Sequence, residues 1–125
     1  RRVSYFLHME MLLVIFFQFF FYFLWTGLWT GLITTTRITH ATPAASYAHS
    51  AHRYWENDNE IPDDQKAACP DFDDIAKQFV HGKTALNIKV IFGGGRQQFL
   101  PNTTSDPEYA NLSGFRGDDR DLIQV

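Results

Sequence analysis

The stretch from Leu32 to Arg53 constrains this chain more than any other, because it reads as a strand, a polar turn and a helix within about twenty residues. Leu32-Ile33-Thr34-Thr35-Thr36 is apolar and β-branched, so a buried strand is predicted over 32–37. Thr39 to Thr42 is then a loop at the strand's carboxyl end, where α/β sheets gather ligands. Thr42-Pro43 reads as an N-cap followed by proline at the first helical position, where a missing N–H costs nothing. Ala44, Ala45, Ala48 and Ala51 give this helix a small-residue face that lets it sit close to a sheet. Farther on, Glu56 to Asp64 is an acidic loop, and Asp71 to Phe79 reads as a helix with Ile75, Ala76 and Phe79 on one face. Ile88 to Phe92 is a second buried strand, and Gly93-Gly94-Gly95-Arg96 a tight turn leaving a central strand. It lacks the Lys-Ser/Thr ending of a phosphate-binding loop. The fold class is therefore α/β.

A chain of 125 residues fits one small domain at most. Its net charge of −3 and lack of a basic cluster give no sign of nucleic-acid binding. From Ile38 onward there are 13 acids against 8 Lys and Arg, which suits an extracellular surface. The single cysteine, Cys69, cannot make an internal disulfide. A buried free thiol and a half-cystine with its partner outside this sequence both remain open. Asn102-Thr103-Thr104 and Asn111-Leu112-Ser113 are glycosylation sequons in polar, loop-like sequence, which makes Asn102 and Asn111 candidates for a secreted surface.

Residues 1–27 form a separate, hydrophobic segment before a domain at 28–125. No charge falls between Glu10 and Arg37, and seven of the twelve Phe lie between Phe6 and Phe23. The run is about long enough for a membrane span, which needs about 20 residues, and Arg1-Arg2 resembles the basic region of a signal or anchor. A membrane anchor, a buried or interfacial helix, and the translated pyrimidine-rich end of an intron are the three readings. The doubled Leu-Trp-Thr-Gly at residues 24–31 is too short for a repeat fold. The absence of an initiator Met at Arg1 and the abrupt Ile123-Gln124-Val125 lead to the expectation that both ends are cut.

Taken alone, Thr42 is a helix cap, His40 a polar loop residue and Arg53 a solvated cation. His49 and His52, three apart, have no third residue at metal-ligand spacing and read as surface histidines. Together, Thr34-Thr35-Thr36-Arg37-Ile38-Thr39-His40-Ala41-Thr42-Pro43-Ala44-Ala45, the Arg53 thirteen positions after His40, the Cys69-Pro70-Asp71 and Asp74-Ile75-Ala76-Lys77-Gln78-Phe79 segments, and Ile88 to Arg96 closely resemble the animal, cell-surface alkaline phosphatases. The resemblance runs from about Leu28 to about Asp121 and covers a middle portion of such a protein.

The resemblance implies a mostly parallel sheet between helices and a metal-dependent phosphate monoester hydrolase with two zinc ions and one magnesium. It implies a homodimer on the extracellular face of the plasma membrane or secreted, with a lipid anchor. It makes Arg53 the guanidinium that grips the substrate phosphate, as a planar fork of donors can. It makes Thr42 a magnesium ligand, His40 a residue that orients groups around the magnesium, and Cys69 half of a disulfide with an upstream cysteine. The family's Asp-Ser-Ala nucleophile motif and its zinc ligands do not occur in these 125 residues. The expectation is therefore a phosphatase fragment without turnover of its own. The competing reading is a small membrane-anchored surface protein that uses a phosphatase remnant for binding. An unbroken helix from Pro43 would carry Arg53 about 16 Å along its axis from Thr42. A shared site therefore requires the helix to end near His49 or Ser50 and the chain to turn back. Exposed sheet edges and poor solubility are expected in either case.

Overall fold

The computed structural model describes residues 22, 23 and 25–124. The expected hydrophobic helix within residues 1–27 falls mostly outside them. Among the described residues no helix is long and apolar enough to cross a membrane. The two β-branched runs form strands β1 (Thr30–Arg37) and β2 (Ile88–Gly94), and they pair in parallel. Leu32 lies beside Ile91, and Ile33 beside Phe92. The register shifts between Ile33 and Arg37. There Thr36 gives its N–H to the Thr34 hydroxyl at 3.1 Å, so a side chain takes a donor that the ladder would otherwise use.

Between the strands lie α1 (Ala41–Ala44), a 3-10 turn at Asp58–Glu60, α2 (Asp63–Ala68), α3 (Ile75–His81) and a 3-10 turn at Ala85–Asn87. After β2 a 3-10 turn, Arg96–Gln98, leads into an irregular tail. The polypeptide thus makes one parallel crossover, which needs an intervening segment of a dozen or more residues. Gly93 is required where β2 ends, because a Cβ there would collide with Ile38 and Thr34. Gly95 then turns the chain with φ +96, a conformation that side chains resist.

Only one face of the sheet is covered by described residues, which corrects the expectation of two buried strands. Leu32 and Ile88 are buried with Ala44, Tyr47, Ile75 and Ala85. On the opposite face Ile33 is 76% and Phe92 63% exposed. Period-2 alternation places these two side chains together. A second cluster joins Ala76, Phe99 and Leu122. Phe79 links the two, meeting Tyr47 edge-to-face at 5.1 Å and Phe99 at 5.6 Å, contacts worth about 0.5–1.5 kcal/mol each beyond burial.

Helix α3 begins at Ile75, not Asp71, because Asp74 is its N-cap: the carboxylate accepts the Lys77 N–H at 2.8 Å. The same carboxylate receives Arg116, whose guanidinium is fully buried, at 2.9 Å. Asp118 holds Arg116 from the other side at 2.8 Å. One buried carboxylate therefore caps a helix and neutralises the tail's arginine. Asp74→Ala should cost about 3–5 kcal/mol, since it leaves a buried cation short of a partner. Asp74→Asn, which keeps a cap acceptor, should cost less. Denaturant titration checks this, and equal losses for the two variants would remove the cap from the account.

Candidate functional site

The loop at the carboxyl end of β1 is fixed by a buried carboxylate that the sequence reading passed over. Glu56 is 2% exposed. It accepts Arg37 through Nε at 2.9 Å and Nη2 at 2.7 Å, and the Thr39 hydroxyl at 2.6 Å. Arg37 ends β1 and Thr39 starts the turn, so Glu56 binds the return segment to the strand end. Its own N–H donates to Glu60 at 3.1 Å. Burial pushes the Glu56 carboxyl up, but the hydrogen bonds from Arg37 and Thr39, with the charges of Arg37 and His40, outweigh it and hold the group below its ordinary value.

Helix α1 starts at Ala41, with His40 as an N-cap whose side chain makes no capping bond. This corrects the capping role expected of Thr42. Thr42 sits inside the first turn, exposed, and its hydroxyl makes no hydrogen bond among the described residues. Pro43 is the third helical residue and is tolerated there because the first turn's N–H groups have no intrahelical partner. The helix also stops at Ala44, well before His49. Ser46 turns its hydroxyl back onto the Pro43 carbonyl at 2.7 Å, a bond that competes with helix continuation. Buried Tyr47 donates its phenol to the Ile38 carbonyl at 2.8 Å and ties the turn to the strand end. Burial pushes that phenol well above its ordinary value.

The chain then turns back. Gln78 of α3 receives the His49 N–H at 2.8 Å and donates to the His49 carbonyl at 2.9 Å. The Ile75 and Ala76 N–H groups, in the first turn of α3, donate to the carbonyls of Trp55 and Glu56. Residues 49–56 are thus held at both ends by one helix. Arg53, at the middle of that segment, reaches back so that Nη2 lies 3.5 Å from His40 Nε2. Its guanidinium stands 5.7 Å from the Tyr54 ring centre, within cation–π range. Among the described residues no carboxylate pairs with it.

A guanidinium only donates. A hydrogen bond across this contact requires the lone pair on His40 Nε2, that is, the neutral ring with its proton on Nδ1, an atom that is buried without a partner among the described residues. An exposed hydroxyl at Thr42, a half-buried imidazole and an uncompensated cation thus stand on two short, anchored segments. A hydroxyl is a hard oxygen donor suited to magnesium. Among the described residues no three His, Cys, Asp or Glu cluster as a metal group, and His49 and His52 are both exposed.

An open cavity lies elsewhere. It measures about 560 Å³ and is bounded by Ile38, Gly93 to Gln97, Phe79, Tyr109 and Leu112, with none of Thr42, His40 or Arg53 on its wall. Cys69 closes α2 as an exposed free thiol, not a buried one. Asn102 and Asn111 are both exposed. The clue to Glu56 was Arg37, a charge ending an apolar strand and so in need of a partner.

A carboxyl depressed in the folded state binds fewer protons there than in the unfolded chain. The Glu56 clamp therefore stabilises the fold above the ordinary carboxylate range, about pH 4–5, and this is lost as pH falls through the lower folded value. Glu56→Gln should cost about 1–3 kcal/mol at neutral pH and converge with the parent in acid. Parallel stability profiles from neutral to acid pH would exclude the clamp as the cause.

The family model described as alkaline phosphatase matches residues 24–125. A tissue-nonspecific alkaline phosphatase of Gallus gallus is 47% identical over 97 residues, covering 74% of this chain and 18% of that protein. A membrane-bound alkaline phosphatase of Bombyx mori is 47% identical over 94 residues, covering 74% and 16%. An alkaline phosphatase of Gadus morhua is 45% identical over 96 residues, covering 74% and 19%. The chain spans less than a fifth of the length of these curated relatives.

Proposed function

Since this chain belongs to the alkaline phosphatase family, we propose that it carries the phosphate-gripping and magnesium-side part of a metal-dependent phosphate monoester hydrolase. The observation that supports this reading most is the return of Arg53 to His40, thirteen residues earlier, on a segment that α3 holds at both ends.

In this proposal Arg53 binds two phosphate oxygens with its planar fork and opposes the charge that builds in the transition state. His40 orients Arg53 through Nε2. Thr42 would hold magnesium with its hydroxyl. When bound, zinc and magnesium supply Lewis-acid stabilisation of the attacking and leaving oxygens. Zinc ligands and the nucleophilic serine are not among the motifs of this chain, so we assign it no turnover by itself. Extracellular placement, membrane attachment and homodimer assembly belong to the same proposal. So do the pairing of Cys69 with an upstream cysteine and the use of Asn102 and Asn111 as glycan acceptors. A second reading, a non-catalytic surface protein that uses the remnant for binding, is favoured by one feature: the apolar pair Ile33 and Phe92 on an uncovered sheet face.

Titration of the purified chain with inorganic phosphate, followed by NMR at Arg53 and His40, tests the phosphate role. Saturable shifts are expected in the millimolar range, about −4 kcal/mol, and Arg53→Ala should abolish them. Undiminished shifts in Arg53→Ala would overturn the phosphate assignment. Hydrolysis of a phosphate monoester in zinc and magnesium, above the Arg53→Ala control, would overturn the assignment of no turnover.

A further inference from the structure

The loop between Thr104 and Gly114 is more rigid than its polar sequence suggests. An antiparallel bridge joins Ser105 to Ser113, and the Gly114 N–H donates to the Thr104 carbonyl at 3.1 Å. Inside this frame Asp106, 6% exposed, receives the N–H groups of Glu108 at 2.9 Å and Tyr109 at 3.1 Å. Its own N–H donates to the Leu112 carbonyl at 2.8 Å, and Arg96 clamps its carboxylate at 3.2 Å. The tip is a β-turn closed by the Leu112 N–H on the Tyr109 carbonyl at 2.8 Å. Neither central residue, Ala110 or Asn111, has positive φ, as in a type I turn.

The turn places Tyr109, Asn111 and Ser113 at alternate positions. Asn111 and Ser113 are the acceptor and hydroxyl of a sequon, and all three are exposed, Tyr109 by 60%. The Cα atoms of Tyr109 and Leu112, the ends of such a turn, lie within about 7 Å, and Asn111 stands between them, so a sugar on Asn111 has the Tyr109 ring within its span. The π face of a ring carries partial negative charge and attracts polarised C–H groups such as those of a pyranose. At Asn102, the other sequon, the residue two positions earlier is Leu100, which is buried.

We propose that the Tyr109–Ser113 turn is a built N-glycan platform, with Asn111 as acceptor and Tyr109 as the surface on which the first N-acetylhexosamine packs. The donor class is a lipid diphosphate oligosaccharide. A bond forms between Asn111 Nδ2 and the sugar's C1, and the bond from C1 to the diphosphate oxygen breaks. The lipid diphosphate leaves with the electron pair, and the amide proton passes to the transferase's base. In cells the modification rests on the extracellular placement proposed above, and the test below separates the two.

The full chain, translated behind a cleavable secretion signal into rough microsomes, is deglycosylated in heavy-oxygen water, and each labelled site is read by mass. Asn111 should be modified, and Asn111→Gln should lose that label alone. In an Asn102→Gln background, the modified chain should then show an unfolding equilibrium constant roughly two- to tenfold smaller than the same chain made without microsomes. Tyr109→Phe should keep that gain, and Tyr109→Ala should lose it. A bare Asn111 under this forced entry, with or without modification at Asn102, overturns the proposal. So does a gain that Tyr109→Ala leaves intact. Whether the native chain reaches the lumen unaided is read separately, from Asn102 and Asn111 in cells without the added signal.

Discussion

The geometry around β1 depends on one buried carboxylate. Glu56 is shielded from water, and an isolated ionised carboxylate there would be strongly disfavoured. Three donors from two groups, Arg37 and Thr39, remove that penalty, and both groups belong to the strand end. The carboxylate therefore fits only when residue 56 has come back against residues 37–39. Arg37 remains half in solvent, so the pair is less costly to desolvate than a fully buried one. The return of the Arg53 segment is in this sense a consequence of satisfying Glu56.

Helix α3 does the complementary work. Its first N–H groups need acceptors. Asp74 supplies one, and the carbonyls of Trp55 and Glu56 supply two more. The helix thus fixes the same segment that the carboxylate fixes, from the opposite side. Gln78 extends the hold to His49, using both halves of its amide. Asp74 also meets Arg116, which couples the tail to the site's scaffold. Two short helices with little stability of their own become precise because their terminal groups are shared with loops.

The strands were legible because β-branched composition and period leave few alternatives at residues 32–37 and 88–92. The turn after β1 was legible in place but not in register. Thr42-Pro43 has the composition of a cap and first helical residue, yet proline is acceptable anywhere in a first turn, and the helix begins two residues earlier. Its length was misjudged because alanine propensity says nothing about Ser46, whose back-bond to Pro43 ends it early. The return of Arg53 was legible only as a requirement of a shared site. Its physical cause, Glu56, looked like one more acid in a solvated loop. Burial of a charge is decided by partners far apart in sequence, and 17–19 residues separate Glu56 from Thr39 and Arg37.

A division of labour follows from these contacts. The groups that hold the site are buried and fully partnered: Glu56, Thr39, Asp74 and Arg116. Other groups near the turn keep unused hydrogen-bonding capacity among the described residues: the Thr42 hydroxyl, the Arg53 guanidinium and His40 Nδ1. Polar groups of this kind are ordinarily paired within a fold or left to water. Here Arg53 and His40 meet on backbone that other side chains have already ordered. The same economy leaves one sheet face, with Ile33 and Phe92, without cover from any described residue. The scaffold is thus tied down around the turn at the end of β1 by Glu56 and the start of α3, and open, among the described residues, on the far side of the sheet.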